Sequence, residues 1–382
     1  MSSLTSTSPL SPEIPVNPLT DRNHEATNRE HWRSAVAAYE RSDLRRSLWQ
    51  ITNSFVPYLA LWFLMYLSLS TSYWLTLAMA PLAAAFLVRI FIIAHDCGHG
   101  SFFRSPRANN FVGSIAASMV FTAYGNWRHR HAIHHASAGD LEKRDIGDVW
   151  TLTAKEYLAA PFWRRFSYRF YRNPLVLFVA GPVFYFLIYN RVPQRNTKQE
   201  ARRSVVRTNL ALAAVILLAA MTIGLKAYLL IQLPIIVFAG TAGAWLFYVQ
   251  HQFEGVYWER TPKWNYVSQA LEGSSYYRLP KLLQWFSGNI GFHHVHHLSP
   301  RIPNYYLERC HREERLFRGA KEITLLSGFR ALRYRLWDED RRQLIGFGDL
   351  RTEMSPRAQG ASPSRLGPAR SARRGLSRHP GR

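Results

Sequence analysis

The sequence predicts an all-α integral membrane protein in which four transmembrane helices form two hairpins and a cytoplasmic helical cap holds a cluster of histidines. Three observations predict this fold. Four apolar segments stand in two close pairs, positive charge is concentrated outside the turns of those pairs, and ten of the 15 histidines fall in three short clusters. With 382 residues, 47% of them hydrophobic, the chain is long enough for one membrane domain with tails.

Both ends of the chain are expected to be disordered tails. The N-terminal tail, residues 1–28, begins with a stretch rich in Ser, Thr and Pro, and the C-terminal tail, residues 353–382, is rich in Arg, Pro, Gly and Ser. No apolar periodicity survives in the C-terminal tail, so it cannot bury enough surface to become ordered. Residues 29–352 are therefore expected to form a single membrane domain.

The four apolar segments predict membrane spans. The first pair is Val56–Leu69 and Tyr73–Ala94, and the second is Leu210–Leu225 and Tyr228–Tyr248. A helix needs roughly 20 apolar residues to cross a hydrocarbon core about 30 Å thick, so the shorter members need their flanks as well. Buried helices of a soluble bundle normally keep a polar face, whereas these segments are apolar all round. The short turn within each pair makes it a helical hairpin.

A fifth apolar segment, Leu175–Ile188, is too short for a span and is broken by Gly181-Pro182. Its length fits a re-entrant or interfacial helix better. The assignment matters because an odd number of spans between the histidine clusters would place them on opposite faces of the membrane.

The charge distribution predicts the orientation. There are 48 Lys and Arg against 25 Asp and Glu, a net charge of +23, and the hairpin turns carry almost none of the basic residues. By the positive-inside rule, both termini and all histidine clusters are expected to be cytoplasmic. The basic residues flank spans and no recognised nucleic-acid motif is present, which argues against an RNA or DNA binder. Only Cys97 and Cys310 are cysteines, which excludes a disulfide framework.

The histidine clusters have spacings that are typical of metal ligands on helices. The first, His95-Asp96-Cys97-Gly98-His99, places two imidazoles at i and i+4, one helical turn apart. The other two share the pattern H-x-x-H-H, which again predicts a common helix face. Their patterned members are His131, His134, His135, His293, His296 and His297. His129 and His294 fall off these faces and are expected to support the ligands or to face solvent.

These eight imidazoles predict two metal ions. Eight ligands are twice what one tetrahedral zinc uses, and neutral imidazole binds borderline metals. The scarcity of carboxylates argues against magnesium and calcium. An all-nitrogen, redox-capable site points to iron, while the spacing leaves copper and manganese open. Carboxylates close enough in sequence to accept the second ring N–H of a bound histidine are Asp96, Asp140, Asp145, Asp148 and Glu254.

The three clusters resemble the histidine boxes of membrane fatty acid desaturases, and Leu298–Tyr305 resembles the stretch after the third box in the acyl-lipid, delta-12 (omega-6) branch. The resemblance covers roughly residues 40–330 and identifies 29–352 as a desaturase domain. It implies a di-iron centre, O2 as oxidant and a fatty acyl substrate that receives a cis double bond. It also implies four spans with the metal site on the cytoplasmic side, so that Leu175–Ile188 does not span.

The resemblance adds a ninth ligand and two partners. Family members often carry a further metal-binding histidine between the fourth span and the third box, and His251 stands there. The implied metal ligands are then His95, His99, His131, His134, His135, His251, His293, His296 and His297. The implied partners are a membrane lipid or acyl-thioester substrate and a ferredoxin-like or cytochrome b5-like electron donor, for which the basic cytoplasmic face is suited.

The sequence also predicts roles for a few other residues near the histidine boxes. Asn289, four residues before His293, could hold a metal-bound water. Cys97 is expected to be a small buried side chain. Trp127, Trp150 and Trp163 are expected at the membrane interface, although one of them could line an acyl tunnel.

Three rival functions remain open on sequence alone. An acyl hydroxylase or a carotenoid ketolase or hydroxylase shares the histidine boxes, but the Leu298–Tyr305 stretch favours the desaturase. A membrane metal transporter would hold its ligands inside the spans near the midplane, whereas these histidines stand at or beyond span ends. A non-catalytic zinc-binding membrane protein would differ in its metal content.

Overall fold

The structure is a computed structural model that describes residues 32–144, 147–193 and 198–353. The predicted tail 1–28 lies outside these residues, as does 354–382 of the predicted C-terminal tail. After a short helix over 32–37, the first half contains α1 (Leu44–Ser68), α2 (Tyr73–His99), α3 (Pro106–Met119), α4 (Tyr124–Ser137), α5 (Ala154–Ala159), α6 (Phe162–Tyr171) and α7 (Gly181–Leu187). The second half contains α8 (Gln199–Thr222), α9 (Leu225–His251), α10 (Tyr266–Glu272), α11 (Lys281–Phe286), α12 (His293–Leu298), α13 (Asn304–Glu313), α14 (Leu325–Arg330) and α15 (Phe347–Glu353).

The four predicted apolar segments all form helices that are long and apolar enough to cross a membrane. They are α1, α2, α8 and α9, and each is longer than its apolar segment because polar turns continue the helix beyond it. At the C-terminal ends, these extensions carry histidines. Helix α2 continues to His99 and α9 continues to His251, so each of these two apolar helices ends with a histidine.

Helix α2 lies at the centre of the apolar core. It packs against α1, α3 and α9, and the side chains between these helices, such as Met65, Leu87 and Ile231, are fully buried. The outward faces are apolar too: Phe63 on α1 and Leu218 on α8 are 58% and 63% exposed. Large apolar side chains exposed on membrane-length helices indicate a lipid surround, and the fold is that of a multi-pass membrane protein.

The fifth apolar segment is irregular. Residues Val176–Ala180 form a π-helical turn that leads into α7, and a 3₁₀ turn, Tyr189–Arg191, follows. Together with α6 it makes an apolar pair bent by 68°, which is a broken span or a re-entrant segment, so four or up to five elements could cross a membrane. Its π-helical turn and α7 pack on α9 and line a cavity beside the histidines.

The chain is mostly helical, as the predicted all-α class requires, and a few short strands accompany the helices. The described residues include four three-residue strands: β1 (Tyr276–Arg278) pairs in parallel with β2 (Glu322–Thr324), and β3 (Leu336–Asp338) pairs antiparallel with β4 (Gln343–Ile345). Strands this short leave no alternating pattern in the sequence. In the first pair the partners also lie more than 40 residues apart, and only the folded chain brings them together.

Candidate metal centre

All nine predicted histidines meet in one place. They fall into two groups, and within each group the candidate ligand nitrogens lie within 4.8 Å of one another. The five-histidine group consists of His95, His99, His131, His135 and His296, and the four-histidine group consists of His134, His251, His293 and His297. The groups are adjacent, because the ring of His135 stacks on that of His297 with centroids 4.2 Å apart.

Each H-x-x-H-H motif contributes to both groups, whereas its spacing predicted one common helix face. In α4, His131 and His135 belong to one group and His134 to the other. The reason is helical geometry. At about 100° per residue, i and i+4 differ by only about 40°, whereas i+3 and i+4 differ by about 100° and diverge. The motif in α12 is split in the same way, so these two helices lie between the groups and supply histidines to each.

The first box is positioned by the end of α2. The helix ends at His99 because the next residue, Gly100, takes a left-handed conformation, with φ of 73°. The Gly100 and Ser101 N–H groups then donate to the carbonyls of Cys97 and Asp96, at 3.1 and 3.0 Å. This is a common helix C-terminus, and it favours glycine because a side chain is strained there. The stop fixes His95 and His99 one turn apart on the last turns of the helix.

Trp127 belongs to the site rather than to the membrane interface. Its ring stacks on that of His131 with centroids 4.5 Å apart, and a Cβ atom on Gly98 would lie 2.8 Å from Trp127 Cζ3. Gly98 of the first box is therefore needed for this close approach. Trp163 on α6 is 72% exposed, and Trp150 packs on the ring of Tyr168 instead.

Two of the five proposed carboxylates bind histidines. Asp96 Oδ1 lies 3.1 Å from His95 Nδ1, and Asp148 Oδ1 lies 2.7 Å from His134 Nδ1. His251 uses a backbone carbonyl in the same way, with Nδ1 3.2 Å from the Gly273 oxygen. When Nδ1 carries the proton and donates, Nε2 is left as a neutral donor atom for a metal.

Asn304 fixes the Asp96 carboxylate in place. Its backbone N–H and its side-chain amide both donate to Asp96 Oδ2, at 2.7 and 2.8 Å. This gives a physical role to the stretch that follows the third box, because it ties that stretch to the first box. Burial makes such a carboxylate depend on its hydrogen bonds, and Asp96 is 2% exposed.

The remaining candidates lie elsewhere. Asp140 accepts from Thr261 and Lys143, Glu254 is exposed, and Asp145 lies outside the described residues. The side-chain amide of Asn289 is bonded to Gln284 and Asn304 rather than to a histidine.

His129 and His294, which the sequence placed off the shared helix faces, lie outside both groups. His294 was expected to support a ligand or to face solvent, but it is fully buried and its Nε2 lies 3.0 Å from Nδ1 of His311. His129 is partly exposed. Cys97 is buried, as predicted.

The geometry of the ring nitrogens fits metal ligation. The Nε2 atoms of His131 and His135 are 3.2 Å apart, those of His135 and His296 3.0 Å, and those of His251 and His293 2.9 Å. Two nitrogens that share one metal at about 2.0–2.1 Å would be separated by about 2.9–3.4 Å. Several buried ring nitrogens also have no hydrogen-bond partner among the described residues. Within the two groups these belong to His99, His134, His135, His293 and His297, and outside the groups His294 Nδ1 is a further case.

The protonation state suits the same role. Burial, reinforced by the neighbouring imidazoles, holds the pKa of five histidines on α4 and α12 well below the usual value. These are His131, His135, His293, His296 and His297. The rings are therefore neutral and can offer a lone pair at physiological pH.

An apolar cavity of about 450 Å³ opens beside the histidines. Its walls come from α2, α7, α9 and the π-helical turn, through side chains such as Leu87, Phe178 and Phe247, while His95, His131, His134 and His293 lie on its inner wall. An apolar cavity next to side chains that could hold a metal can accommodate an unactivated carbon chain beside that site.

Comparison with known proteins agrees with this architecture. The family model described as fatty acid desaturase matches residues 71–326. A "Fatty acid desaturase" of Bacillus subtilis is 47% identical over 312 residues, which cover 82% of this chain and 89% of the relative. Two proteins of Synechocystis are more distant. The "sn-1 acyl-lipid omega-3 desaturase (ferredoxin)" is 27% identical over 58% of this chain and 62% of its own length. The "sn-1 oleoyl-lipid 12-desaturase" is 28% identical over 59% of this chain and 64% of its own length. The chain therefore belongs to the fatty acid desaturase family and is an oxidoreductase.

Proposed function

We propose that this enzyme is an O2-dependent di-iron desaturase that introduces a cis double bond into a fatty acyl chain held in the membrane. The observation that carries the proposal is the cavity of about 450 Å³, which is apolar and has four histidines on one wall. Its volume lies in the range of small-molecule sites, about 300–1,000 Å³. An apolar lining between membrane-length helices favours a methylene chain over a polar substrate.

The nine histidines would hold two irons, one in each group. When bound, the iron pair supplies the oxidising power that an unactivated C–H bond requires. The chain's own residues do the rest. Asp96, Asp148 and the Gly273 carbonyl orient their histidines, and the cavity decides which carbon faces the site and keeps water away from it.

The reaction needs a source of electrons. Removing two hydrogens from a methylene pair and reducing O2 to two water molecules consumes two electrons and two protons from outside. A ferredoxin-like donor is favoured, because one Synechocystis relative carries ferredoxin in its name and an acidic carrier suits a chain with a net charge of +23. A cytochrome b5-like donor is the alternative. By the positive-inside rule the donor and the histidines are on the cytoplasmic side.

The substrate is proposed to be an acyl group on a membrane lipid, with an acyl thioester as the alternative, and the double bond to be of delta-12 (omega-6) type. The named relatives include an omega-3 desaturase as well as a 12-desaturase, so the experiment has to locate the double bond. A related hydroxylase, or a carotenoid ketolase or hydroxylase, would use the same histidines and would be revealed by its product.

The product test uses a host that lacks polyunsaturated lipids. The full chain is expressed with a ferredoxin in one strain and with cytochrome b5 in another, and extracted lipids are analysed by gas chromatography with mass spectrometry. A new cis double bond in the ferredoxin strain is expected, and its absence from a His134→Ala strain is the control. A hydroxyl or keto product, or no product with either donor, would contradict the proposal.

Asp96→Asn is expected to lower metal affinity and turnover by about 10–100-fold, the usual effect of losing a carboxylate that orients a metal-bound histidine. The amide keeps the shape of the side chain but removes the negative charge that faces His95 Nδ1. Iron titration of the purified variant measures the effect. Asp140→Asn is the matched control, since Asp140 is equally buried but bonds to Thr261 and Lys143. Equal losses in both variants would mean that Asp96 acts only through folding.

A further inference from the structure

A second cavity, of about 880 Å³, lies beside the start of α4 and is separate from the histidine cavity. We call it the α8 groove, because α8 forms one wall from Glu200 to Ile223, while α1, α3, α9 and the start of α4 form the others. It shares no lining residue with the histidine cavity. On α4, Arg128 lines the groove and His131, less than one turn later, lines the histidine cavity.

One end of the groove is cationic. Arg128 and Arg207 both line it. Arg128 donates to Asn110 Oδ1 at 2.9 Å and lies 3.6 Å from Glu200, whose side chain is 81% exposed. Arg207 is exposed and has no acidic partner among the described residues. The groove lining thus carries two guanidinium groups and one carboxylate, which is exposed, so the charge of its lining is positive.

The remainder of the groove is mainly apolar, although hydroxyl side chains such as Ser114 and Thr222 also line it. From Arg207 to Ile223 the α8 wall presents small and aliphatic side chains, such as Ala211 and Val215, over about 24 Å of helix at 1.5 Å per residue. The polar groups at the far end satisfy one another, because Tyr58 and Trp62 both donate to Gln232 Oε1. This length exceeds the hydrocarbon of one leaflet, which is about 15 Å.

We propose that the α8 groove is a binding site for a glycerophospholipid, with the phosphate between Arg128 and Arg207 and an acyl chain along α8. Arginine matches phosphate through paired, charge-assisted hydrogen bonds, and the apolar furrow matches the tail. The charge argues against a second copy of this chain in the groove. The four membrane-length helices carry only Asp96 and Glu200 as acidic residues. Asp96 is already bonded within the site and Glu200 lies at the groove itself.

The test measures retained phospholipid. The full-length protein is purified in detergent, incubated with phosphatidylglycerol and washed, and bound lipid is counted by native mass spectrometry and by phosphate analysis. Arg128→Gln and Arg207→Gln are each expected to weaken retention about fivefold, the effect of one basic residue near an anionic headgroup. Ala211→Trp, which fills the furrow and keeps both arginines, is expected to abolish it.

Matched controls lie on the same helix. Arg203→Gln removes an exposed arginine one turn before Arg207, and Ala213→Trp adds the same bulk as Ala211→Trp. Neither residue lines the groove, so both variants should retain lipid like the unaltered protein. Arg207→Gln keeps the test valid if Arg128→Gln fails to fold, because Arg207 is a surface residue.

Equal retention in all variants would overturn the proposal, and so would a lipid-free dimer that Ala211→Trp converts to monomers. Lipid retention does not depend on turnover, so the result is independent of the proposed reaction.

Discussion

His296→Ala is expected to abolish desaturation and to strip the five-histidine group of its metal. The His296 ring lies at the centre of that group: its Nε2 is 3.0 Å from that of His135, and its centroid is 4.5 Å from that of His95 and 4.9 Å from that of His99. Loss of a group that only orients a metal ligand typically lowers metal affinity or activity about 10–100-fold. Loss of a ligand itself should therefore lower turnover by more than about 100-fold. Metal analysis and lipid analysis of one preparation measure both effects.

His251→Ala is the complementary variant, because His251 belongs to the four-histidine group. It is expected to lose the other metal and to keep the one that His296→Ala loses. His129→Ala is the control for both, since His129 lies on α4 beside the ligands but in neither group. Full activity in either ligand variant, or equal losses in the His129 variant, would contradict the assignment of the groups.

Gly243→Phe is expected to block the acyl cavity without disturbing the metal centre. Gly243 lines the cavity, and a Cβ atom added there would meet no other atom within 4 Å, so a large side chain projects into open space. The residue lies eight positions before His251, about 12 Å along α9. Since a single methylene in an apolar pocket changes discrimination by about 10–200-fold, kcat/KM for long acyl chains should fall by more than about 100-fold.

For shorter acyl chains, kcat/KM should fall less, because these chains end before they reach the new phenyl ring. The measurement is kcat/KM for a series of acyl lengths, together with metal content, which should not change. Ala242→Phe is the matched control, since Ala242 is the neighbouring residue on α9 but is exposed and lies outside the cavity. An unaltered chain-length profile in Gly243→Phe would show that the acyl chain does not occupy this cavity.

The four apolar helices and the convergence of the histidines could be predicted because both depend on local patterns. Apolar runs specify membrane-length helices directly, and H-x-x-H-H spacing brings side chains together on one turn. The predicted segments were too short at their N-terminal ends, because α1 begins at Leu44 rather than Val56 and α8 begins at Gln199 rather than Leu210. Helical hydrogen bonding continues through polar turns, so hydropathy alone does not mark where a helix starts.

The contacts between the boxes could not be predicted in the same way. Asn304 binds Asp96 across more than 200 residues, and Trp127 stacks on His131 only because Gly98 of another helix leaves room. These contacts depend on how helices pack, which no single-helix pattern records. The division of each H-x-x-H-H motif between two groups follows from helical geometry once both groups exist. It could have been inferred from the divergence of the i+3 and i+4 positions.

The most direct test of this account is the number of irons that the full-length protein binds. The protein is stripped with a chelator, reloaded anaerobically with ferrous iron and washed, and iron is then measured per chain alongside desaturation with the electron donor. Two histidine groups predict two irons per chain, activity that returns only as the second iron binds, and one iron in the His251→Ala variant. Full activity with a single metal per chain, or with zinc in place of iron, would contradict the account.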